Sequence, residues 1–375
     1  MKELKIIIFG SWNTDGGVSR HTTPIAEWLM EQGYDIKVFT HYRECTLGYP
    51  LDVEDEAFVH RCFTYSGKDF PGRISFEPEL VLKAVEEEGY NIFLAEDLGI
   101  LPMEELLKIF PRIKAKAKTI LLNHDNKPKP DNSPFWKYDW DEIINFLPEQ
   151  NEFIGDHYPA EKIHVIEFPV YENRESEKIK SCEELNIPSN KNIILALGEY
   201  NMVDFLPAIC EIKKSDPSIY ILGHVYDEGR KAALENKIAE MRKTNPAISY
   251  DEIRVENGSW QQRRSYVKHS KIVILDKGES VTGFGAILSS TAYQIIGWDT
   301  PILARDNLFF SPFSNEELVK YKNDKELTES VKKLIYNEAY RTEVLKNAKK
   351  FAIEHSPEKI ANQVLEIFTK SYGII

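Results

Sequence analysis

The sequence is poor in the features that would mark several function classes. It has four cysteines among 375 residues (Cys45, Cys62, Cys182, Cys210), widely separated. No paired spacing exists from which a zinc site or a disulfide framework could be read, and a reducing cytoplasm is the expected setting. No apolar run approaches the roughly 20 residues a membrane-spanning helix needs. Near the amino terminus only Ile6 to Phe9 are apolar before Gly10, too few for a signal-peptide core. The expectation is a soluble protein, or one that touches a membrane at most peripherally. Positive charge is also short: 47 Lys+Arg face 60 Asp+Glu, for a formal net charge of −13. That balance repels phosphate polymers and predicts no nucleic-acid partner. The dinucleotide Gly-x-Gly-x-x-Gly spacing and the P-loop Gly-Lys-Ser/Thr are both missing from the first glycine-rich turn.

What is present is length and alternation. A chain of 375 residues, 42% apolar, predicts about two domains of 100 to 200 residues, each with its own core. Short β-branched or aromatic runs recur at Lys5 to Phe9, Ile36 to Thr40, Phe58 to Phe63, Ile92 to Ala95, Thr119 to Leu122 and Ile163 to Phe168. Between the first two, Ile25, Ala26, Leu29 and Met30 mark one face of a helix ending near Gly33. Pro169 to Lys191 turns polar and charged and reads as a linker. A second series follows at Asn192 to Leu197, Ser218 to Leu222, Ile253 to Val255, Lys271 to Leu275 and Pro301 to Ala304, with helices at Glu228 to Lys243 and Gln261 to His269. The last fifty residues have a helical pattern broken at Ser356-Pro357, where proline can start a new helix. The pattern predicts an α/β protein with two doubly wound parallel sheets.

Ligands of such sheets bind beyond the carboxyl ends of the strands. The first of these loops carries Gly16 and Gly17 just ahead of a helix, so that backbone amides can approach an anion; for a bare glycine pair a tight strand-to-helix turn is the commoner explanation. Leu94-Ala-Glu96-Asp97 places two carboxyls at a strand end, able to orient sugar hydroxyls or take a proton. The alternative there is a cap by Asp97 beside an exposed Glu96. His124 ends the neighbouring strand. Arg112, Lys114, Lys116 and Lys118 form a basic run after an apolar helix at Met103 to Phe110, either a solvated face or a surface for anionic lipid.

Gly16-Gly-Val-Ser-Arg-His21, Gly33-Tyr-Asp-Ile-Lys-Val38, Ile120-Leu-Leu-Asn-His124, Glu161-Lys-Ile-His-Val-Ile-Glu-Phe-Pro169, Ile194-Leu-Ala-Leu-Gly198 and Gly283-Phe284-Gly285 occur in that order. Together they resemble the GT-B-fold retaining glycosyltransferases of the glycogen synthase and α-mannosyltransferase class, over nearly the whole chain. The resemblance implies two Rossmann-like domains facing across a cleft. Residues 1–170 would form an acceptor domain and 171–354 a nucleotide-sugar donor domain, with a helix at about 355–375 returning to the first. It implies transfer of a hexose from a nucleoside-diphosphate sugar to a hydroxyl of a carbohydrate or lipid-linked acceptor, with retention of configuration and no cofactor or required metal. Glu96, Asp97 and His124 would take catalytic roles. Gly16, Gly17, Gly198, Glu199, Ser259, Glu279, Thr282, Gly283, Phe284, Gly285 and Ser290 would hold the donor. The chain departs from the family where a glutamate pair becomes Thr282 and Ser290, and where Glu199 stands in place of a phosphate-binding arginine. Arg20, Arg263, Arg264 and Lys277 are candidate replacements, each otherwise a solvated surface cation. The departures also fit a binding partner or regulator that has lost catalysis; a sugar-nucleotide epimerase is the weaker alternative.

Overall fold

The computed structural model describes residues 4–14, 16–45, 54–65, 75–125, 127–171, 179–197, 202–225, 227–244, 253–258, 260–276 and 288–371. The chain divides into two compact units. The first holds the chain up to Pro169, a short piece ending at Ser290 and the stretch from His355; the second holds the rest from Val170 to Glu354.

In the first unit the elements are β1 (Lys5–Phe9), α1 (Gly17–Glu31), β2 (Asp35–His41), β3 (Val59–Phe63), α2 (Pro78–Glu86), β4 (Ile92–Glu96), α3 (Met103–Lys114), β5 (Lys118–Leu122), β6 (Glu142–Asn145), α4 (Asn151–Ile154) and β7 (Ile163–Val165). The strands form one parallel sheet in the order β3-β2-β1-β4-β5-β6-β7. Because strand side chains alternate between faces, Ile7, Phe9, Phe93, Ala95 and Leu121 enter the core that also holds residues of α2 and α3. Ile6, Ile8, Leu94, Glu96 and Leu122 take the opposite face, where with Thr22, Ile25 and Leu29 of α1 and Val364 and Phe368 of the last helix they line a small cavity. That last helix, α11 (Pro357–Ser371), begins at the proline that marks the break in the sequence, and it packs on α1.

The order reverses between β1 and β4, which makes the gap between their exits the switch point of the sheet. Phe9 pairs with Ala95, so Gly10 and Glu96 follow side by side. A Cβ on Gly10 would stand 2.8 Å from Glu96 Cβ. Only glycine allows this approach, so Gly10→Ala is expected to destabilise the first unit by about 1–3 kcal/mol, the usual cost of forcing atoms into a packed site. Urea unfolding of the variant checks it, and a midpoint equal to wild type would refute it.

The second unit contains β8 (Asn192–Leu197), α5 (Met202–Ser215), β9 (Ile219–Val225), α6 (Glu228–Thr244), β10 (Ile253–Asn257), α7 (Trp260–His269), β11 (Ile272–Leu275), all but the first residue of α8 (Ser290–Ile295), β12 (Ile302–Arg305), β13 (Val319–Tyr321), α9 (Asp324–Tyr336) and α10 (Glu338–Glu354). Its sheet is also all-parallel, β10-β9-β8-β11-β12-β13. Both sheets are doubly wound, as the alternation of runs predicts. Two strands have no counterpart among the expected runs. β6 has only Ile143 and Ile144 as its apolar pair, and β13 is three residues long. β7 stops at Val165, short of the expected Phe168, and α3 runs four residues past Phe110. No helix among the described residues is long and apolar enough to cross a membrane.

Candidate functional site

The site is built where the first sheet's strands end. The loop leaving β1 is held by its own hydroxyls: Ser11 Oγ lies 3.0 Å from Thr14 Oγ1 and 3.1 Å from His41 Nε2 at the end of β2. Gly16 caps α1 in an extended conformation with no side-chain cap bond, leaving the helix start to backbone amides. Ser290, which belongs to this unit, has its Oγ 3.6 Å from where a Cβ on Gly17 would stand.

Glu96 is fully buried rather than exposed. Its Oε1 lies 3.3 Å from Nδ1 of His21, which α1 carries one turn past Gly17. Burial pushes the Glu96 carboxyl well above the usual carboxylate range, and the adjacent Asp97 adds to this. Burial holds His21 well below the usual imidazole range, with His124 acting in the same direction. Both shifts work against an ion pair between the two groups. His124 is held down to about 3, also by burial. Its ring stands perpendicular to that of His21, with centroids 5.6 Å apart, and Phe146 packs on both rings while Phe168 packs on His21.

Asp97 takes a left-handed backbone with φ 54°, which aspartate tolerates better than most residues. It occupies the cap position of a one-turn helix without a side-chain cap bond. Its carboxyl is pushed up to about 7, by burial first and the Asp125 charge second, with Lys129 opposing. Lys129 Nζ is 2.5 Å from Asp125 Oδ1. Two carboxyls sharing one cation at a strand end give a group able to accept or release a proton near neutrality.

Amides fix the backbone behind these groups. Gln150 Nε2 donates to the carbonyls of Asn123 (3.1 Å) and Asp125 (2.9 Å), and its Oε1 accepts from the amides of Phe146 and Leu147. Asn123 Nδ2 donates to Asn145 Oδ1 at 2.9 Å, and Asn145 Nδ2 to Asn151 Oδ1 at 2.8 Å. The structure places Glu96, Asp97 and His124 at adjacent strand ends, and beside them His21, Lys129, Asn145 and Gln150, to which the sequence alone assigns no role. The signal for His21 was its place just past the glycine pair, within reach of a neighbouring strand end.

Among the expected donor residues, Gly198, Glu199, Ser259, Glu279, Thr282, Gly283, Phe284 and Gly285 lie outside the described residues, as does Lys277. Arg20, Arg263 and Arg264 do not occupy solvated surface: all three are buried, and Arg264 sits 5.4 Å from the Trp298 ring centre. Helix α7 turns Arg263 and Arg264 inward, which residue type alone does not disclose. Three members of the basic run are paired: Arg112 makes a two-bond fork with Glu86 at 2.9 and 2.8 Å, Lys114 reaches Asp139 and Asp141, and Lys118 reaches Asp141.

No protein-family model matches the chain. Solved structures match it end to end. A sucrose-phosphate synthase from Thermosynechococcus elongatus is 12% identical with a TM-score of 0.67, covering 99% of this chain and 100% of that one. An α-glucosyltransferase in complex with UDP-glucose and DNA containing an abasic site is 13% identical with a TM-score of 0.67, at 98% and 100% coverage. The chain has the GT-B fold. Anabaena HepE in complex with UDP and glucose shares this fold at 13% identity and a TM-score of 0.64, again at 98% and 100% coverage.

Proposed function

We propose that this GT-B chain is a retaining glycosyltransferase that moves a hexose from a nucleoside-diphosphate sugar to a hydroxyl acceptor, a carbohydrate or a lipid-linked one. The observation that carries this reading is the end-to-end match to structures in complex with UDP or UDP-glucose, which makes UDP the first nucleotide to try. The carboxyls and histidines gathered at the switch point of the first sheet supply the expected acceptor-side chemistry. In this reading Asp97 orients sugar hydroxyls, the buried Glu96 supports it from behind, and His124 bonds the acceptor or donor, while the loops after β8 and β11 take the diphosphate on backbone amides without needing a metal ion. The setting is cytoplasmic carbohydrate biosynthesis, with membrane contact peripheral at most and no nucleic acid bound.

Thermal unfolding against UDP, GDP, ADP, CDP and dTDP with their common sugars tests it. A ligand at about 100 times its dissociation constant adds roughly 2.7 kcal/mol, which moves the midpoint by several degrees. The expected result is a shift with one nucleotide class, UDP first, followed by sugar transfer or donor hydrolysis. A blank panel on folded protein, with neither activity, overturns the reading and favours a partner or regulator that has lost catalysis. Asp97→Asn keeps the left-handed backbone accessible while removing the charge. It is expected to lower transfer by about 100-fold, the lower range for a positioned acid or base, with the donor's thermal shift retained.

A further inference from the structure

We propose that His21, Glu96 and His124 form a binding site for one divalent transition-metal ion of the zinc class, held by the Glu96 carboxylate and one ring nitrogen of each histidine. One ligand atom from each of the three lies within 4.8 Å of the others. Tetrahedral zinc with bonds of about 2.0–2.1 Å needs its donors roughly 3.4 Å apart, and Glu96 and His21 already stand at 3.3 Å. The His124 donor stands within the same 4.8 Å. The three residues come from separate supports within one unit. Glu96 ends β4, His21 rides on α1, and His124 lies two residues beyond Leu122, which pairs with Glu96 and so shares its face.

The second observation is unmet demand. Glu96 Oε2 and His124 Nε2 are buried and have no hydrogen-bond partner. A buried polar atom left so is costly and calls for an occupant. A water beside Glu96 would find few polar partners. The adjoining cavity, about 10 Å³, is walled by Ile6, Ile8, Leu94, Leu122 and Phe368. The Thr22 hydroxyl on that wall is already committed to the Val18 carbonyl. A buried water needs two to four polar partners. An ion bonded directly to the carboxylate and imidazole satisfies both atoms at once. Two nitrogens and one oxygen, inside the shell made by Phe146 and Phe168, select zinc-class ions over magnesium or calcium, which prefer all-oxygen sets. Three protein donors leave a fourth position for a non-protein ligand.

This inference does not rest on the transferase reading, and its test uses neither donor nor acceptor. The full chain is stripped with a chelator, dialysed, and titrated with Co²⁺ alone and then with Zn²⁺. One equivalent of Co²⁺ should bind with the visible d–d absorption of a tetrahedral site, and Zn²⁺ should displace it. Glu96→Gln and His124→Gln should each weaken binding by more than the roughly 10- to 100-fold that loss of an outer-shell partner costs. Should either variant fail to fold, ¹⁵N-histidine spectra of the wild type decide, because Zn²⁺ should shift the ring signals of His21 and His124 alone among the nine histidines. No uptake by folded wild type, uptake unchanged in the variants, perturbation of other histidines, or a thiolate-to-cobalt charge-transfer band would each overturn the proposal.

Discussion

Asp276→Ala is expected to destabilise the second unit by about 3–5 kcal/mol, the usual penalty for removing one partner of a buried ion pair. For a unit of this size that lowers its melting midpoint by on the order of 10 °C. The Asp276 side chain is fully buried immediately after β11. Arg305 Nε donates to both its oxygens at 2.9 and 3.0 Å, Arg305 Nη2 to Oδ2 at 2.8 Å, and Tyr321 Oη to Oδ2 at 2.8 Å. Arg305 ends β12 and Tyr321 ends β13, so one carboxylate ties three strand ends together. Truncation leaves a guanidinium and a phenol facing a hole of low polarity. Tyr321→Phe removes one bond and leaves the ion pair, so it should cost only about 1 kcal/mol. Calorimetry that resolves the two units checks both variants; an alanine variant melting within about 2 °C of wild type would mean the network contributes little.

Much of this architecture can be read from the sequence because parallel strands buried on both faces write themselves as short apolar runs. Lys5–Phe9 and Asn192–Leu197 agree with β1 and β8 residue for residue. β6 and β13 escape because two or three apolar residues carry no period of their own; neighbouring strands recruit them. The site divides in the same way. Glu96, Asp97 and His124 follow from the rule that ligands gather beyond strand ends, which needs only the strand positions. His21 does not, because its contact with Glu96 crosses 75 residues and depends on how α1 crosses the sheet. Arg263 and Arg264 fail for the opposite reason: charge argues for solvent, while the face of α7 that carries them is turned into the unit. The carboxyl of Asp97 shows a further limit, since its rise to about 7 comes from burial and from Asp125, 28 residues away in the chain.

The second unit should also lose stability steeply in mild acid, through one histidine. His224, at the carboxyl half of β9, is fully buried, and neither ring nitrogen has a hydrogen-bond partner. Burial first, and the Arg263 charge second, hold it down to about 3. Above the unfolded value of about 6.5 both states carry a neutral ring and nothing is lost. Below it the unfolded chain takes up a proton that the folded unit refuses. Stability therefore falls by about 1.4 kcal/mol per pH unit until the folded value near 3 is reached. Only the upper part of this window lies above the range in which ordinary carboxylates titrate, so the loss between about pH 6 and about pH 5 is the diagnostic part. His224→Leu should flatten that limb. At neutral pH it should also raise the stability of this unit by about 1–3 kcal/mol, because an apolar side chain of similar size leaves no unmet nitrogen behind. Urea unfolding of wild type and variant across that interval decides the matter. Parallel pH curves would show that His224 is not the group responsible. A lower plateau for His224→Leu at neutral pH would show that the ring makes a bond the fold depends on.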